Sequence, residues 1–554
     1  MYQIYPRSFA DNNADGIGDL EGIISRLDYL KDTGFETVWI SPFFSSPQED
    51  FGYDISGYRS IAPEYGDMDA CMRLIEEVHR REMKIVLDLV LNHTSRKHPW
   101  FIESRSSKEN PKRDWYIWRD GGGIRGRRPP NNWRSLAGRG SGWHYDNRTG
   151  QWYWASFLAC QPDLNFRNPE VKKEMLDVVR FWLDRGVDGF RLDIFASIYK
   201  EENLADNPFT FQLLPDPENE GGLFRTNEMI VHRPEVFALA GELRALTEEY
   251  GKPERFLLGE VFGSLKTLRK YCGGDSAGGL HLVFLFQSLN AKLTAASMAD
   301  LIRRFEHYFA PPLLPTWVFS NHDRKRRISV LDNNIEKAKL NAALQLTGRG
   351  VPVVYYGEEI GMPQTEIDPK DNLDPVGRQF ASFPRCVRRL IQRFSGGAGD
   401  RDGCRTPMQW DDSYNGGFCP EGVRPWLPVH PSYRERNVEI ERHGPDSLYS
   451  CYRRFLRLRN ETPELNRGAV RLENRPGVPD NVLIYTRFLD GDEGGREWPV
   501  TVVLNFANRR SVFPLPQEGR PPELLVSTRA DRSTGPIRAG QITLGPYEGI
   551  VLRI

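Results

Sequence analysis

Eight short apolar runs recur along the first two thirds of the chain, with longer helix-like patterns between many of them, and this alternation constrains the fold more than any other feature. The runs are Tyr2–Tyr5, Thr37–Ile40, Ile85–Leu91, Gly189–Ile194, Phe256–Val261, His281–Phe286, Trp317–Ser320 and Pro352–Tyr356. Each is too short for a helix and rich in β-branched or aromatic residues, as buried parallel strands are. Intervening segments such as LEGIISRLDYLKDTG, MDACMRLIEEVHRRE and EVKKEMLDVVRFWLDRG space their apolar residues helically, and the first and last close on glycine. Eight alternating units predict a (β/α)8 TIM barrel.

The alternation is interrupted between the third and fourth runs. Residues 94–161 are long, Trp-rich and Gly/Arg-rich (RDGGGIRGRRPPNNWR), which predicts an inserted domain between barrel segments 1–93 and 162–472. Residues 361–431, rich in Gly, Pro and Asp, predict a loop subdomain on the same rim. Over 473–554, runs such as NVLIYTRF and VTVVLNF between turn residues predict a C-terminal antiparallel β-sandwich.

Three acids, Asp193, Glu260 and Asp323, stand at or just past the C-terminal ends of predicted strands, in GFRLDIFA, FLLGEVFG and WVFSNHD. Parallel βα units bring strand C-termini to one face, so the three carboxylates are expected around one pocket. Such a set suits cleavage of a glycosidic bond, which needs one carboxylate as nucleophile or base and one carboxylic acid for the leaving oxygen. As isolated residues, each could equally be a strand-end cap or an ion-pair partner. Arg191, two residues before Asp193, falls on the same strand face and is expected to hold that carboxylate ionised.

Composition narrows the partners. A formal net charge of -1 provides no field for nucleic acid or an anionic membrane. The seven cysteines form no CxxC pair, MYQIYPRSF lacks the pattern of a signal peptide, and no apolar run reaches the length of a membrane span. A cytoplasmic protein is expected, monomeric or homodimeric, acting on a small oligosaccharide.

DLVLNH (88–93), QPDLN (161–165), GFRLD (189–193), GEVFG (259–263) and NHD (321–323), beside YQIYPRSF and RTPMQW, resemble the ordered motifs of glycoside hydrolase family 13, the α-amylase clan, and within it the oligo-1,6-glucosidase and α-glucosidase group. The resemblance covers the whole chain. It implies Asp193 as nucleophile, Glu260 as general acid/base and Asp323 as transition-state stabiliser, with retention of configuration. It also implies that His93 and His322 bind sugar hydroxyls and that Tyr53 stacks under the ring. Asp50 and Arg401 would close the far end of the pocket, leaving it open to a terminal, non-reducing sugar. Asp54 rivals Asp50 for that role; Asp88 reads as a structural partner, and Asn92 fits either part. Ile194, directly after the nucleophile, leans toward α-1,6 bonds over α-1,4. Arg326 is retained in HDRKR and is expected, like Arg191 and Ile194, among the substrate-binding residues; Lys325 replaces a proline usual in the family, so the loop beyond the cleaved bond is expected to differ. Transglucosylation or isomerisation of sucrose, maltose or trehalose-type disaccharides uses the same glycosyl-enzyme and is the alternative activity. A non-enzymatic relative is the third reading, disfavoured because all three acids are present.

DNNADGIGD carries Asp11, Asn13, Asp15 and Asp19 at the oxygen positions of an EF-hand loop, with the Ile17 carbonyl at its seventh position. Gly22 stands where the bidentate acid belongs. The string resembles the family's isolated structural Ca2+ or Mg2+ loop; an Asx-rich turn without metal is the competing reading. No catalytic cofactor is expected.

Overall fold

The computed structural model describes residues 1–137, 140–211, 224–368, 370–379, 401–489, 499–515, 521–538 and 540–554. Cys386 and the middle of the expected loop subdomain lie outside them.

Eight parallel strands form the barrel wall: β1 (Tyr2–Ile4), β2 (Thr37–Ile40), β3 (Lys84–Leu89), β4 (Gly189–Leu192), β5 (Phe256–Gly259), β6 (Leu282–Val283), β7 (Thr316–Val318) and β8 (Val351–Tyr355). The sheet runs in sequence order from β1 to β6, and β8 pairs with both β7 and β1. Strand β1 therefore pairs on both sides, with Tyr2 opposite Val38 and Val354.

Side chains join β6 to β7. Strand β6 is two residues long and pairs by backbone with β5 alone, and on its other side the Thr316 hydroxyl donates to Val283 O and accepts from Leu285 N–H, both at 2.9 Å. Ser288 Oγ adds a bond to Val318 O at 2.6 Å. Trp39, Val86, Leu258, Leu282, Phe284, Val318 and Val353 share one apolar cluster contributed by six strands and the end of β6, the packed interior typical of such a barrel.

The predicted helices form with one revision. LEGIISRLDYLKDTG breaks at Arg26 (φ −113°, ψ 4°) into Leu20–Ser25 and Leu27–Thr33, the second closed by left-handed Gly34. Met68–Arg80 and Pro169–Leu183 are capped by Asp67 and Asn168, each accepting a first-turn amide.

Between β3 and β4, a three-stranded antiparallel sheet (Trp118–Arg119, Trp143–Asp146, Gln151–Trp154) packs Trp133, Trp143 and Trp154 against one another. At the C-terminus, a six-stranded antiparallel sheet and a two-stranded ribbon enclose a core that includes Val482, Ile484, Phe513 and Leu544. Alternation decides which face meets what: Leu483 and Tyr485, one residue out of phase, join the barrel's own core.

Candidate active site

The strands end just before the acids. In Leu192 and Gly259 the ladder stops, yet Asp193 N–H still donates to Leu89 O (3.1 Å) and Glu260 N–H to Leu192 O (2.9 Å). The carboxylates thus keep strand-like anchorage while their side chains leave the wall for the rim.

Arg191 organises the first group. Its Nη1 binds Asp193 Oδ1 at 2.6 Å and Asp88 Oδ1 at 2.7 Å, and its Nη2 binds Glu260 Oε2 at 2.7 Å. Arg191 is 1% exposed, and its guanidinium lies 5.3 Å from the Trp39 ring centroid and 5.7 Å from that of Tyr53. Three buried carboxylates on one guanidinium leave a net negative cluster, so at least one is pressed to keep a proton. Burial, reinforced by Glu260 and Asp88, pushes Asp193 well up against the pull of Arg191. Asp88 is likewise pushed up by burial, to about 6. Ile194, in the left-handed region at φ 37°, points its N–H at Glu260 Oε2 (3.2 Å) and leaves its side chain partly exposed. A β-branched residue in that conformation is strained, and the strain accompanies the aimed amide.

A second group surrounds Asp323. Its Oδ1 accepts from Arg405 Nη2 (2.8 Å) and Arg401 Nη1 (3.3 Å), and its Oδ2 lies 3.2 Å from His322 Nε2. Burial would raise Asp323, but His322 and the two arginines outweigh it and hold its carboxyl well below the usual range. At neutral pH the arginines carry that effect, because burial keeps His322 uncharged, its pKa pushed down to about 3. Gln3 Nε2 meets His322 Nδ1 at 2.8 Å, which leaves Nε2 as the protonated nitrogen facing Tyr53 OH (2.7 Å) and Asp323. Tyr53 stacks on the His322 ring, 5.4 Å between centroids and 8° between planes, and donates to Asp88 Oδ2 at 3.3 Å.

Arg401 links this group to the far end. It binds Asp50 Oδ1 at 2.9 Å and, through Nε, Asp374 Oδ2 at 3.0 Å. Asp50 and Asp54 separate cleanly here. Asp50 faces Arg401 and takes Gln161 Nε2 at 3.0 Å, whereas Asp54 turns back and accepts the amides of Asp50 and Glu49 and the Ser46 hydroxyl. The loop between them needs its glycine: Gly52 sits at φ 101°, and a Cβ there would lie 2.6 Å from Pro42 O.

His93 is directed at backbone. Its Nε2 lies 3.1 Å from Tyr53 O, and burial lowers its pKa to about 4. Asn92 is a structural partner, its carboxamide shared between Lys200 Nζ (2.8 Å) and His93 Nδ1 (3.2 Å). Arg326 requires correction as a sugar contact: it is 2% exposed, lies over the Tyr355 and Tyr356 rings and donates to Tyr356 O at 2.7 Å. The arginine turns inward to cover the aromatic pair behind β8.

Sequence reasoning singled out neither Arg405 nor Asp374, and it left Gln161 and Gln3 as unassigned letters of their motifs. Arg405 stands inside RTPMQW, so its string was noticed but its partner was not. Asp374 lies in aperiodic loop sequence, where no pattern marks it.

In the loop of Asp11, Asn13, Asp15, Ile17 and Asp19, side chains wind the backbone. Asp11 accepts the amides of Ala14 (2.7 Å) and Gly16 (2.8 Å), Asp15 that of Ile17 (2.8 Å), and Asp19 those of Asn12, Asn13 and Gly22. Among the described residues no three acidic, His or Cys groups gather closely enough to hold a metal ion.

The catalytic-domain model of the α-amylase family matches residues 3–468. The chain belongs to that family. This α-amylase-family chain is 42% identical to a probable α-glucosidase of Rhizobium meliloti over 85% of its own length and 83% of the relative's. It is 36% identical to an oligo-1,6-glucosidase of Parageobacillus thermoglucosidasius, covering 100% of this chain and 98% of that one. Among solved structures, an α-glucosyl transfer enzyme superposes with a TM-score of 0.86 at 36% identity, over 100% of this chain and 98% of that one. The family member is accordingly a glycoside hydrolase in fold and class, and no helix among the described residues is long and apolar enough to cross a membrane.

Proposed function

We infer that this enzyme is a retaining, exo-acting α-glucosidase that removes terminal non-reducing α-glucose from short oligosaccharides. The observation that carries the reading is the Arg401 bridge, which ties Asp50 to Asp323. Such an ion-paired bridge suits a pocket closed at one end, which takes only a terminal unit.

Asp193 attacks the anomeric carbon and forms the glycosyl–enzyme bond as the glycosidic bond breaks, while Glu260 gives its proton to the leaving oxygen. Glu260 then takes a proton from water, whose oxygen displaces Asp193 and restores the configuration. Both carboxylates sit on one guanidinium, an arrangement suited to the separation of about 5 Å used by retaining enzymes. Arg191 and the Ile194 amide both bind Glu260 Oε2, which leaves Oε1 as the oxygen that exchanges the proton with the leaving group. Asp323, kept ionised by its arginines, stabilises the oxocarbenium-like state through charge.

The branched aliphatic Ile194, directly after the nucleophile, supports α-1,6 over α-1,4 bonds, as the family resemblance implies. Likeness to an α-glucosyl transfer enzyme keeps transfer to a second sugar as the alternative outcome of the same intermediate. The deciding experiment compares kcat/KM for isomaltose and maltose by released glucose, with Asp193→Asn as control. A ratio above one supports α-1,6 preference, a ratio below one removes it, and disaccharide products without free glucose favour transfer.

We further propose that a Ca2+ or Mg2+ ion, when bound, draws Asp11, Asn13, Asp15, Asp19 and the Ile17 carbonyl together in this loop, as a structural ion without a chemical step. Calorimetric titration of chelated protein tests it. A reducing, cytoplasmic setting and a monomer or homodimer complete the proposal, supported by six described cysteines that are all buried and form no disulfide.

A further inference from the structure

Gln3 is the middle residue of β1, and strand alternation turns it away from its neighbours. Tyr2 and Ile4 join the main apolar core, whereas the Gln3 carboxamide, 0% exposed, reaches His322. A carboxamide so deeply buried costs stability unless it is bonded. Its nitrogen spends both hydrogens, one on His322 Nδ1 at 2.8 Å and one on Ser41 Oγ at 3.3 Å. Ser41 stands just past β2 and is tied to β1 by its own N–H bond to Ile4 O at 3.0 Å, so the amide is held between two barrel strands.

Charge decides the opposite edge of the ring. Asp323, kept ionised by Arg401 and Arg405, lies 3.2 Å from His322 Nε2, so a bare nitrogen there would set a lone pair against a carboxylate. Nε2 therefore carries the hydrogen and offers it to Tyr53 Oη at 2.7 Å, which frees the Tyr53 hydroxyl proton for Asp88 Oδ2 at 3.3 Å. Asp88 in turn shares Arg191 Nη1 with Asp193. Donation runs one way, from Gln3 to His322 to Tyr53 to Asp88, and meets there the guanidinium that orients the nucleophile. The imidazole is 1% exposed, flanked by Tyr53, by Tyr5 at 6.1 Å and by the edge of Trp39 at 6.2 Å. Asp323, Arg405, Arg191 and Arg401 are the charged groups that face it, and burial together with the arginines keeps it uncharged against the pull of Asp323.

We propose that Gln3 is a positioning residue for catalysis: its N–H reserves His322 Nδ1 as an acceptor and so holds the ring neutral, with its one hydrogen on Nε2. The consequence is electrostatic. An imidazolium beside Asp323 would offset the negative charge on which the oxocarbenium-like state draws, and a ring with hydrogen on Nδ1 alone would take the Tyr53 proton away from Asp88. Gln3 acts through His322 and not on the reacting atoms. Its effect on catalysis rests on the α-glucosidase reading, whereas the placement of the protons rests on the observed bonds alone.

Gln3→Glu tests this, because it keeps size and reach but reverses the polarity of the bond. The arginines around the ring favour an ionised carboxylate at position 3, and an imidazole that faces a carboxylate on each side carries hydrogen on both nitrogens. The full chain is labelled with nitrogen-15 histidine, the His322 signals are assigned by their loss in His322→Gln, and the protonation of each ring nitrogen is read at neutral pH. Tm and the kcat and KM for isomaltose and maltose are measured on the same preparations. The unaltered protein should show a neutral ring with hydrogen on Nε2. In Gln3→Glu both nitrogens should be protonated, with kcat lower by roughly 100-fold, KM little changed and Tm unchanged or higher. Gln3→Met, which removes the donor without adding charge, should lower kcat by about tenfold and Tm with it. Hydrogen on Nδ1 in the unaltered protein, a neutral His322 in Gln3→Glu, or kcat retained beside an imidazolium overturns the proposal. Parallel loss of kcat and Tm in Gln3→Glu makes Gln3 a packing residue and overturns it as well. Absence of hydrolysis by the unaltered protein overturns the α-glucosidase reading instead, and the protonation of the ring then judges Gln3 alone.

Discussion

Asp193 and Asp323 are both buried acids at barrel strand ends, yet their surroundings drive them in opposite directions. Asp193 shares one arginine with Glu260 and Asp88, and its carboxyl is raised; Asp323 has Arg401 and Arg405, and its carboxyl is lowered. Burial acts alike on both. The ratio of guanidinium to carboxylate decides the sign. One pocket thereby holds an acid pressed toward its protonated form and an acid that remains charged throughout.

Asp193→Asn tests the raised side with the largest effect. Losing the nucleophile should lower kcat by roughly 10^4-fold or more, while relief of like charge around Arg191 leaves Tm unchanged or higher. A fall in Tm would show that the cluster is a structural ion network and not a strained catalytic one.

Arg401→Met tests the lowered side. It leaves Asp50 and Asp374 without their main cation, so stability should fall by about 3–5 kcal/mol, read as Tm, together with a rise in KM as the closed end loosens. Stability close to wild type would mean that Arg405 alone sustains the network.

Arg405→Met is the narrower version. Asp323 keeps Arg401, so kcat should drop by roughly 100–1,000-fold, as for loss of one preorganised charge contact, with KM little changed. Arg405→Lys should recover part of kcat; recovery of Tm without kcat would make Arg405 a scaffold residue only.

Asp88→Asn makes the smallest change. Removing this carboxylate lowers the pKa of Asp193, so the acid limb of kcat/KM should move toward lower pH. Stability offers a second readout with a defined sign. Asp88 rises from 3.8 to about 6 on folding, so the folded state binds the proton more tightly, and Asp88 costs stability progressively as pH climbs through that interval. Tm of the variant should lose that decline between about pH 4 and 6. An unmoved acid limb would detach Asp88 from the cluster.

Much of this architecture is legible in the chain because parallel strands are buried on both faces and are written as continuous apolar runs. The ends of those runs place Asp193, Glu260 and Asp323 on one face, although the ladders stop short of the expected bounds: β4 ends at Leu192 and β5 at Gly259. The difference is physical, since the chain must leave the pleat to turn its acids over the rim. Strand β6 shows the opposite failure. Apolar sequence over His281–Phe286 predicts six residues of strand, whereas two pair, because Thr316 and Ser288 hydroxyls take over the seam.

Local spacing alone determined the barrel class, the order of its parts and the presence of three acids on one face. Pairing between residues hundreds of positions apart was decided only by tertiary structure. Arg401 meets Asp50 across 351 positions, and Arg405 meets Asp323 across 82. Periodicity records which side of a strand is buried, and those bonds join loops that have no periodicity. Arg326 makes the same point in reverse: it stands three residues from Asp323, yet the turn directs it away from the pocket onto Tyr355 and Tyr356. Which carboxylate is raised and which is lowered follows from how many guanidinium groups the fold brings to it, a count no linear spacing contains.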